Sequence, residues 1–194
     1  KAVDYEKQKV NIDKLYSGFT ELDASKETMV EVREHRVVPA PEPYYANHFV
    51  LLRDRVNGDS ALTRFDPATE SLRYIDYKMP SVAGVRPLNA EQRMAFELLL
   101  DDDVHLVSLV GKAGTGKTLL AIAAGLKMTL EDKQYNRVLV SRPVIPLGKD
   151  IGYLPGAKNE KLSHWMQPFF DNLEYLISVY KRQNMKNADQ LINN

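Results

Sequence analysis

Eight consecutive residues, Gly111-Lys112-Ala113-Gly114-Thr115-Gly116-Lys117-Thr118, carry the clearest chemistry in this sequence. They satisfy Gly-x-x-x-x-Gly-Lys-Ser/Thr at every fixed position. In that pattern backbone N–H groups wrap phosphate oxygens, the lysine ammonium meets the β- and γ-phosphates, and the hydroxyl ligates Mg²⁺. The additional glycine at 114 gives the loop further backbone freedom. On this reading Gly111, Lys112, Ala113, Gly114, Thr115, Gly116, Lys117, Thr118 and Leu119 hold the phosphates of a nucleoside triphosphate. Lys117 and Thr118 are the residues that act in the chemistry, and Thr118 is the Mg²⁺ ligand.

Such a loop needs a buried strand before it and a helix after it, so that loop and helix-end N–H groups converge on one point. Val104 to Val110 is apolar and β-branched enough for the strand, and a helix is expected from Lys117 to about Thr129. Arg137 to Ser141 supplies a following strand, which makes the strand-helix-strand unit of a parallel α/β sheet. Upstream, Asn89 caps a helix whose third position is Gln92 and whose buried side carries Ala95, Phe96, Leu98 and Leu99; Asp101-Asp102-Asp103 ends it. Residues 159 to 191 read as helices broken or bent at Pro168.

Ahead of about Gly84 the signals change to short strands and turns. Met29 to Val32 and Arg36 to Val38 read as strands, and Pro39, Pro41 and Pro43 impose an extended connection. His48 to Arg53 and Ser60 to Phe65 flank Asn57-Gly58 as a hairpin, Asp66-Pro67-Ala68-Thr69 is a second turn, and Leu72 to Tyr77 is a third strand. The expectation is a small antiparallel meander over residues 1–85, a β-rich linker or accessory domain, followed by an α/β domain over 86–194.

Composition limits the partners. The 26 basic and 26 acidic residues cancel, so any polyanion site is local. The absence of cysteine excludes a disulfide framework and a thiolate metal site. No apolar run reaches the length of a membrane span, and the start lacks the apolar stretch of a signal peptide, so cytoplasm is the expected compartment and no membrane is an expected partner. The four histidines, His35, His48, His105 and His164, show no metal-ligand spacing.

The loop alone says triphosphate and no more, because kinases, GTPases, ATPases and helicases share it. A hydrolase of this class also needs a second acidic site after an apolar strand. None of the acidic residues after Thr118 (Glu131, Asp132, Asp150, Glu160, Asp171, Glu174 and Asp189) follows a four-residue apolar strand. The sheet is therefore expected to continue beyond Asn194.

The flanking residues narrow the choice. Pro87-Leu88-Asn89-Ala90-Glu91-Gln92, the phosphate loop, and the block from Ser141 to Gly156, with Lys161 and Trp165-Met166-Gln167-Pro168, together resemble the PhoH-like family of P-loop ATPases, over Arg86 to about Ile177. The resemblance implies a RecA-like P-loop NTPase core related to superfamily 1 helicases, with ATP and Mg²⁺ as cofactors. It implies an ATP-driven motor or remodeller acting on single-stranded RNA and assembling as a homo-oligomer, a hexameric ring. Residues before Gly84 resemble the segment that joins a PIN ribonuclease domain to the ATPase in longer members.

Individual residues keep two uses each. Gln92 suits adenine, since its amide offers a donor and an acceptor, and it also suits a capping box with Asn89; the adenine use is favoured. Arg142 suits RNA backbone or an ion pair with Asp150 or Glu160, and Lys149 sits on a glycine-rich loop that grips a strand or is a structural turn. Trp165, Phe169, Phe170 and Tyr175 read as core or subunit contact rather than a base-stacking platform. Tyr44, Tyr45, Phe49, Arg53 and Arg55 fit a small RNA-binding sheet, though packing as a linker is favoured. Two further functions stay open beside the RNA-linked ATPase: a non-hydrolysing nucleotide switch and a small-molecule kinase, the latter disfavoured by the block from Ser141 to Gly156.

Overall fold

A computed structural model describes residues 16–76, 78–141, 166–167 and 169–182. The chain is a mixed α/β protein whose contacts divide it into two compact units, Lys1–Lys78 and Met79–Asn194. Among the described residues no helix is long and apolar enough to cross a membrane.

The first unit holds β1 (Phe19–Asp23), α1 (Lys26–His35), β2 (Val37–Pro39), β3 (Phe49–Asp54), β4 (Asp59–Asp66) and β5 (Ser71–Tyr74) in one five-stranded sheet of order β1-β3-β4-β5-β2. β3, β4 and β5 form the expected antiparallel meander. The sheet as a whole is mixed, because β1 runs parallel to β3 with Phe19 opposite Phe49. The cause is α1. It carries the chain from β1 to the far edge, where β2 pairs antiparallel with β5, and the proline-rich return leads into β3 beside β1. Pro39 is the last residue of β2, and an edge strand tolerates its missing N–H.

Met29 to Val32, expected as a strand, is helical. Ser25 caps α1 by accepting a hydrogen bond from the Thr28 amide at 3.2 Å, Glu27 lies in the first turn, and Arg33 and His35 lie in the last. Met29 and Val32, three residues apart, then share one face and are buried against Val38, Val50, Leu52, Ala61, Phe65 and Leu72. The β-branched valines suggested a strand; capping and the three-residue spacing of the buried pair decided for helix.

The hairpin between β3 and β4 is closed by Asp54, whose carboxylate accepts from the Val56 amide at 2.9 Å, the Asn57 amide at 3.0 Å and Asn57 Nδ2 at 2.6 Å, while Gly58 takes φ 68°. These bonds, the Asn57 side chain first, hold the Asp54 carboxyl below its ordinary pKa.

In the second unit, α2 (Ala90–Leu99), α3 (Lys117–Leu126) and a helix α4 (169–182) build the core. Phe96, Ala123 and Leu176 are fully buried within it, beside Val82, Ala83, Leu120 and Ala124. The helix expected from Lys117 to about Thr129 continues beyond α3 as a wider turn, Lys127–Glu131, where the Asp132 amide reaches the Lys127 carbonyl at 2.9 Å. The Thr129 hydroxyl explains the change, since it donates to the Gly125 carbonyl at 2.8 Å and so competes for the acceptor a regular turn would use.

The two strands expected on either side of α3 differ most from the structure. Residues 104–110 and 137–141 form no strand ladder among the described residues, and Leu106 and Leu139 are 86% and 80% exposed. Apolar β-branched residues favour a pleated strand only where a neighbour completes its hydrogen bonds, and no described segment lies alongside to do so.

Candidate functional site

The loop from Gly111 to Thr118 turns back on itself before α3 begins. Gly114 and Gly116 take φ values of 78° and 87°, which a side chain would resist. At Gly111 an added Cβ would lie 3.7 Å from Thr115 Oγ1 and 4.0 Å from Lys117 Cδ, so the two ends of the loop face each other. Gly116 is the N-cap of α3 and offers no capping side chain. The first bond of the helix ladder runs from the Leu120 amide to the Gly116 carbonyl at 2.9 Å. The amides of Lys117, Thr118 and Leu119 precede that bond, and they stand at the positive end of the helix dipole.

Three groups of the loop are tied together. Lys117 Nζ donates to the Lys112 carbonyl at 2.5 Å and to Thr115 Oγ1 at 3.1 Å. The Thr115 hydroxyl in turn donates to the Lys112 carbonyl at 3.0 Å. One of the three ammonium protons remains, together with the whole positive charge. Lys112, Ala113, Thr115 and Thr118 are exposed, while Lys117 and Leu119 are half-buried.

Gln92 reaches this loop from α2. Its backbone amide donates to the N-cap side chain, Asn89 Oδ1, at 2.9 Å. Its side chain does not close a capping box on Asn89. Instead Oε1 accepts from the Leu88 amide at 2.8 Å, and Nε2 donates to the Thr115 carbonyl at 3.3 Å. The structure therefore brings Gln92 together with Lys112, Thr115, Gly116 and Lys117, and a Cβ at Gly116 would stand 3.3 Å from Gln92 Nε2. Sequence reasoning did not find the part played by the Thr115 side chain. A threonine at a free position of the pattern carries no signal for its hydroxyl's bonds to Lys112 and Lys117, and the bond from Gln92 to its backbone carbonyl spans 23 residues of chain.

Arg142 and Lys149, with the block from Arg142 to Gly156 and Trp165, lie outside the described residues. Phe169 packs against the core, and Phe170 and Tyr175 are 43% and 53% exposed. The residues that fit an RNA-binding sheet are largely engaged with their neighbours. Phe49 is buried, Tyr44 stacks on His48 at 4.8 Å, Arg53 pairs with Glu21 and Arg55 with Asp23, which leaves Tyr45 presented outward. His48 is buried between the Tyr16 hydroxyl on Nδ1 and Thr20 Oγ1 on Nε2, and burial lowers its pKa against the opposing pull of Glu42. Among the described residues no three His, Cys, Asp or Glu side chains gather where they could hold a metal.

Comparison with known proteins places this geometry in context. The family of PhoH-like proteins matches residues 84–193. The chain is 42% identical over 184 residues to protein PhoH2 of Bacillus subtilis, covering 89% of this chain and 40% of that protein. It is 36% identical over 163 residues to protein PhoH2 of Thermobispora bispora, covering 84% of this chain and 37% of that protein. To protein PhoH2 of Mycolicibacterium smegmatis it is 52% identical over 98 residues, half of this chain and 22% of that one. The chain thus spans two fifths or less of the length of these relatives. No solved structure matches it.

Proposed function

This chain belongs to the PhoH-like protein family, and we propose that its second unit grips ATP with Mg²⁺ in the loop Gly111–Thr118 as part of an ATPase. One observation carries the reading: two glycines at positive φ, the uncapped start of α3 and the Lys117 ammonium are gathered in one eight-residue loop. N–H dipoles and a fixed cation suit the oxygens of a triphosphate and little else of comparable size. Lys117 supplies its charge to the β- and γ-phosphates. The Thr118 hydroxyl, exposed on the first turn of α3, provides a single oxygen for Mg²⁺. It would be one ligand among several, because Mg²⁺ keeps waters, takes further ligands from the phosphates and in a hydrolase of this class is also organised by a carboxylate of the second acidic site. When bound, the ion would neutralise charge as the terminal phosphoryl group leaves.

The pairing of Gln92 supports adenine as the base. With Leu88 N–H on Oε1 and the Thr115 carbonyl on Nε2, the amide orientation is fixed. It keeps one N–H and one lone pair. Adenine offers N7 as acceptor and the exocyclic amine as donor side by side, which matches both; guanine offers two acceptors there and leaves the Oε1 lone pair opposed.

The finer parts of the proposal rest on the family resemblance. The whole protein works in the cytoplasm on single-stranded RNA as a homo-oligomeric ring, residues 86–194 contribute the nucleotide-binding part, and residues 1–85 are an accessory segment. Calorimetric titration of this chain with ATP and GTP tests the central claim. ATP should bind more tightly than GTP, and Lys117→Ala should abolish ATP binding; unchanged binding in that variant sinks the assignment. RNA affinity of the full-length protein should fall with salt by about 0.7 log units per log unit for each phosphate neutralised. Binding of ATP without turnover in the full-length protein would instead mark a nucleotide-set switch.

A further inference from the structure

Thr115 faces two ways. Its carbonyl accepts from Gln92 Nε2 at 3.3 Å, and its hydroxyl accepts from Lys117 Nζ at 3.1 Å while donating to the Lys112 carbonyl at 3.0 Å. A hydroxyl has one proton and two lone pairs, so the bond to Lys112 fixes where the proton points and turns a lone pair toward the ammonium. A continuous path then runs from the Leu88 amide through the Gln92 side chain and Thr115 to the head of Lys117. Its two ends are the group suited to the base and the group suited to the phosphates.

We infer that Thr115 is a positioning residue that couples recognition of the base at Gln92 to placement of the Lys117 ammonium. The inference rests on the nucleotide reading of this loop. Lysine carries its charge on a flexible four-carbon stem, and much of the benefit of that charge is lost if the head must be ordered when the ligand arrives. The hydroxyl of Thr115 and the carbonyl of Lys112 hold the head beforehand. Gln92 holds Thr115 from the other side. A contact that steadies the Gln92 amide therefore steadies the ammonium as well. By linkage the reverse also holds: phosphate on Lys117 strengthens base binding by the same factor.

The mechanism makes an unusual demand. Gln92 should matter even to a ligand that has no base. The experiment is calorimetric titration of this chain, in Mg²⁺, with ATP and with inorganic tripolyphosphate, for the wild type, Gln92→Ala, Thr115→Val, Thr115→Ser and the double variant Gln92→Ala/Thr115→Val. Valine keeps the shape and the backbone carbonyl and removes only the hydroxyl; serine keeps the hydroxyl. Thr115→Val should weaken tripolyphosphate by about three- to tenfold, the range of one hydrogen bond, and Thr115→Ser should restore it. Gln92→Ala should weaken tripolyphosphate by about two- to fivefold in the wild-type background, toward the low end for a hydrogen bond, and have no effect once the hydroxyl is gone.

Full tripolyphosphate affinity in Thr115→Val, or in Gln92→Ala, overturns the inference while leaving ATP binding by the loop intact. Equal effects of Gln92→Ala in both backgrounds also overturn it, since the path would then bypass the hydroxyl. A wild-type chain that binds neither ligand overturns the nucleotide reading and this inference with it. Thermal unfolding of each variant, unchanged within a degree or two, separates these outcomes from a loss of fold.

Discussion

Replacing Gly116 by alanine tests the loop and its connection to Gln92 together. Gly116 sits at φ 87°, ψ 4°, where an alanine Cβ meets its own backbone at a cost of about 1–2 kcal/mol. The same Cβ would stand 3.3 Å from Gln92 Nε2, tighter than an ordinary contact, and the amide must give way. Its bond to the Thr115 carbonyl is at a solvent-facing site, so its loss adds only about 0.5 kcal/mol, the low end for a hydrogen bond. Gly114 provides the control. It too has positive φ, 78°, but an added Cβ there meets nothing within 4 Å. If strain depopulates the binding-competent loop, both variants should bind ATP about 5–30-fold more weakly, which is 1–2 kcal/mol expressed as a ratio. Only Gly116→Ala should also lose about twofold in its preference for ATP over GTP, because only it disturbs Gln92. Competition binding with both nucleotides measures each ratio. Selectivity that falls equally in the two variants, or ATP binding at wild-type strength in Gly116→Ala, would refute the reasoning.

Two further outcomes concern stability. Phe96 is fully buried among α2, α3 and α4, so Phe96→Ala should cost about 3–5 kcal/mol in chemical denaturation, against well under 1 kcal/mol for the exposed Leu88→Ala. In the first unit, the folded pKa of His48 is lowered by burial and that of Asp54 by its bonds to Asn57 and Val56, so both contribute stability above their unfolded pKa values and lose it as pH falls. Tyr44 has the opposite sign: burial, then the nearby Glu42 carboxylate, pushes it to about 12, and its contribution disappears as pH rises from about 10 toward that value. Denaturation midpoints across pH should therefore be highest between about 6.5 and 10, and His48→Gln should remove the decline that begins near 6.5 without altering the later acid step of Asp54.

The sequence spoke clearly wherever a local cause decided the outcome. Asn89 with Gln92 three residues later placed the start of α2, Asn57-Gly58 placed the hairpin between β3 and β4, and proline confined β2 to a short edge strand. It misled at Met29 to Val32, where β-branched valines suggested a strand. The deciding facts, a serine cap at Ser25 and a buried pair three residues apart, are equally local, and weighing the cap above the propensity would have found α1. The parallel pairing of β1 with β3 is different in kind. Nothing in Phe19–Asp23 states which strand it will meet, because that depends on α1 crossing the sheet face first.

The site divides along the same line. The loop announces itself because its chemistry is local: glycines for positive φ, a lysine and a hydroxyl at fixed spacing, and a helix start immediately after. That Gln92 lies on the first turn of α2 was legible, yet the bonds of its side chain were not, since they come from Leu88 on one side and from Thr115, 23 residues away, on the other. Sequence spacing shows which groups share a turn of chain, whereas selectivity needs a donor and an acceptor held at fixed angles by partners elsewhere in the fold. That is why the same loop serves many triphosphate proteins while the base they accept is set outside it. In this chain Gln92, outside the loop, is also bonded to it through Thr115, so on the proposed reading base and phosphate recognition would share one network of hydrogen bonds rather than adding as separate terms.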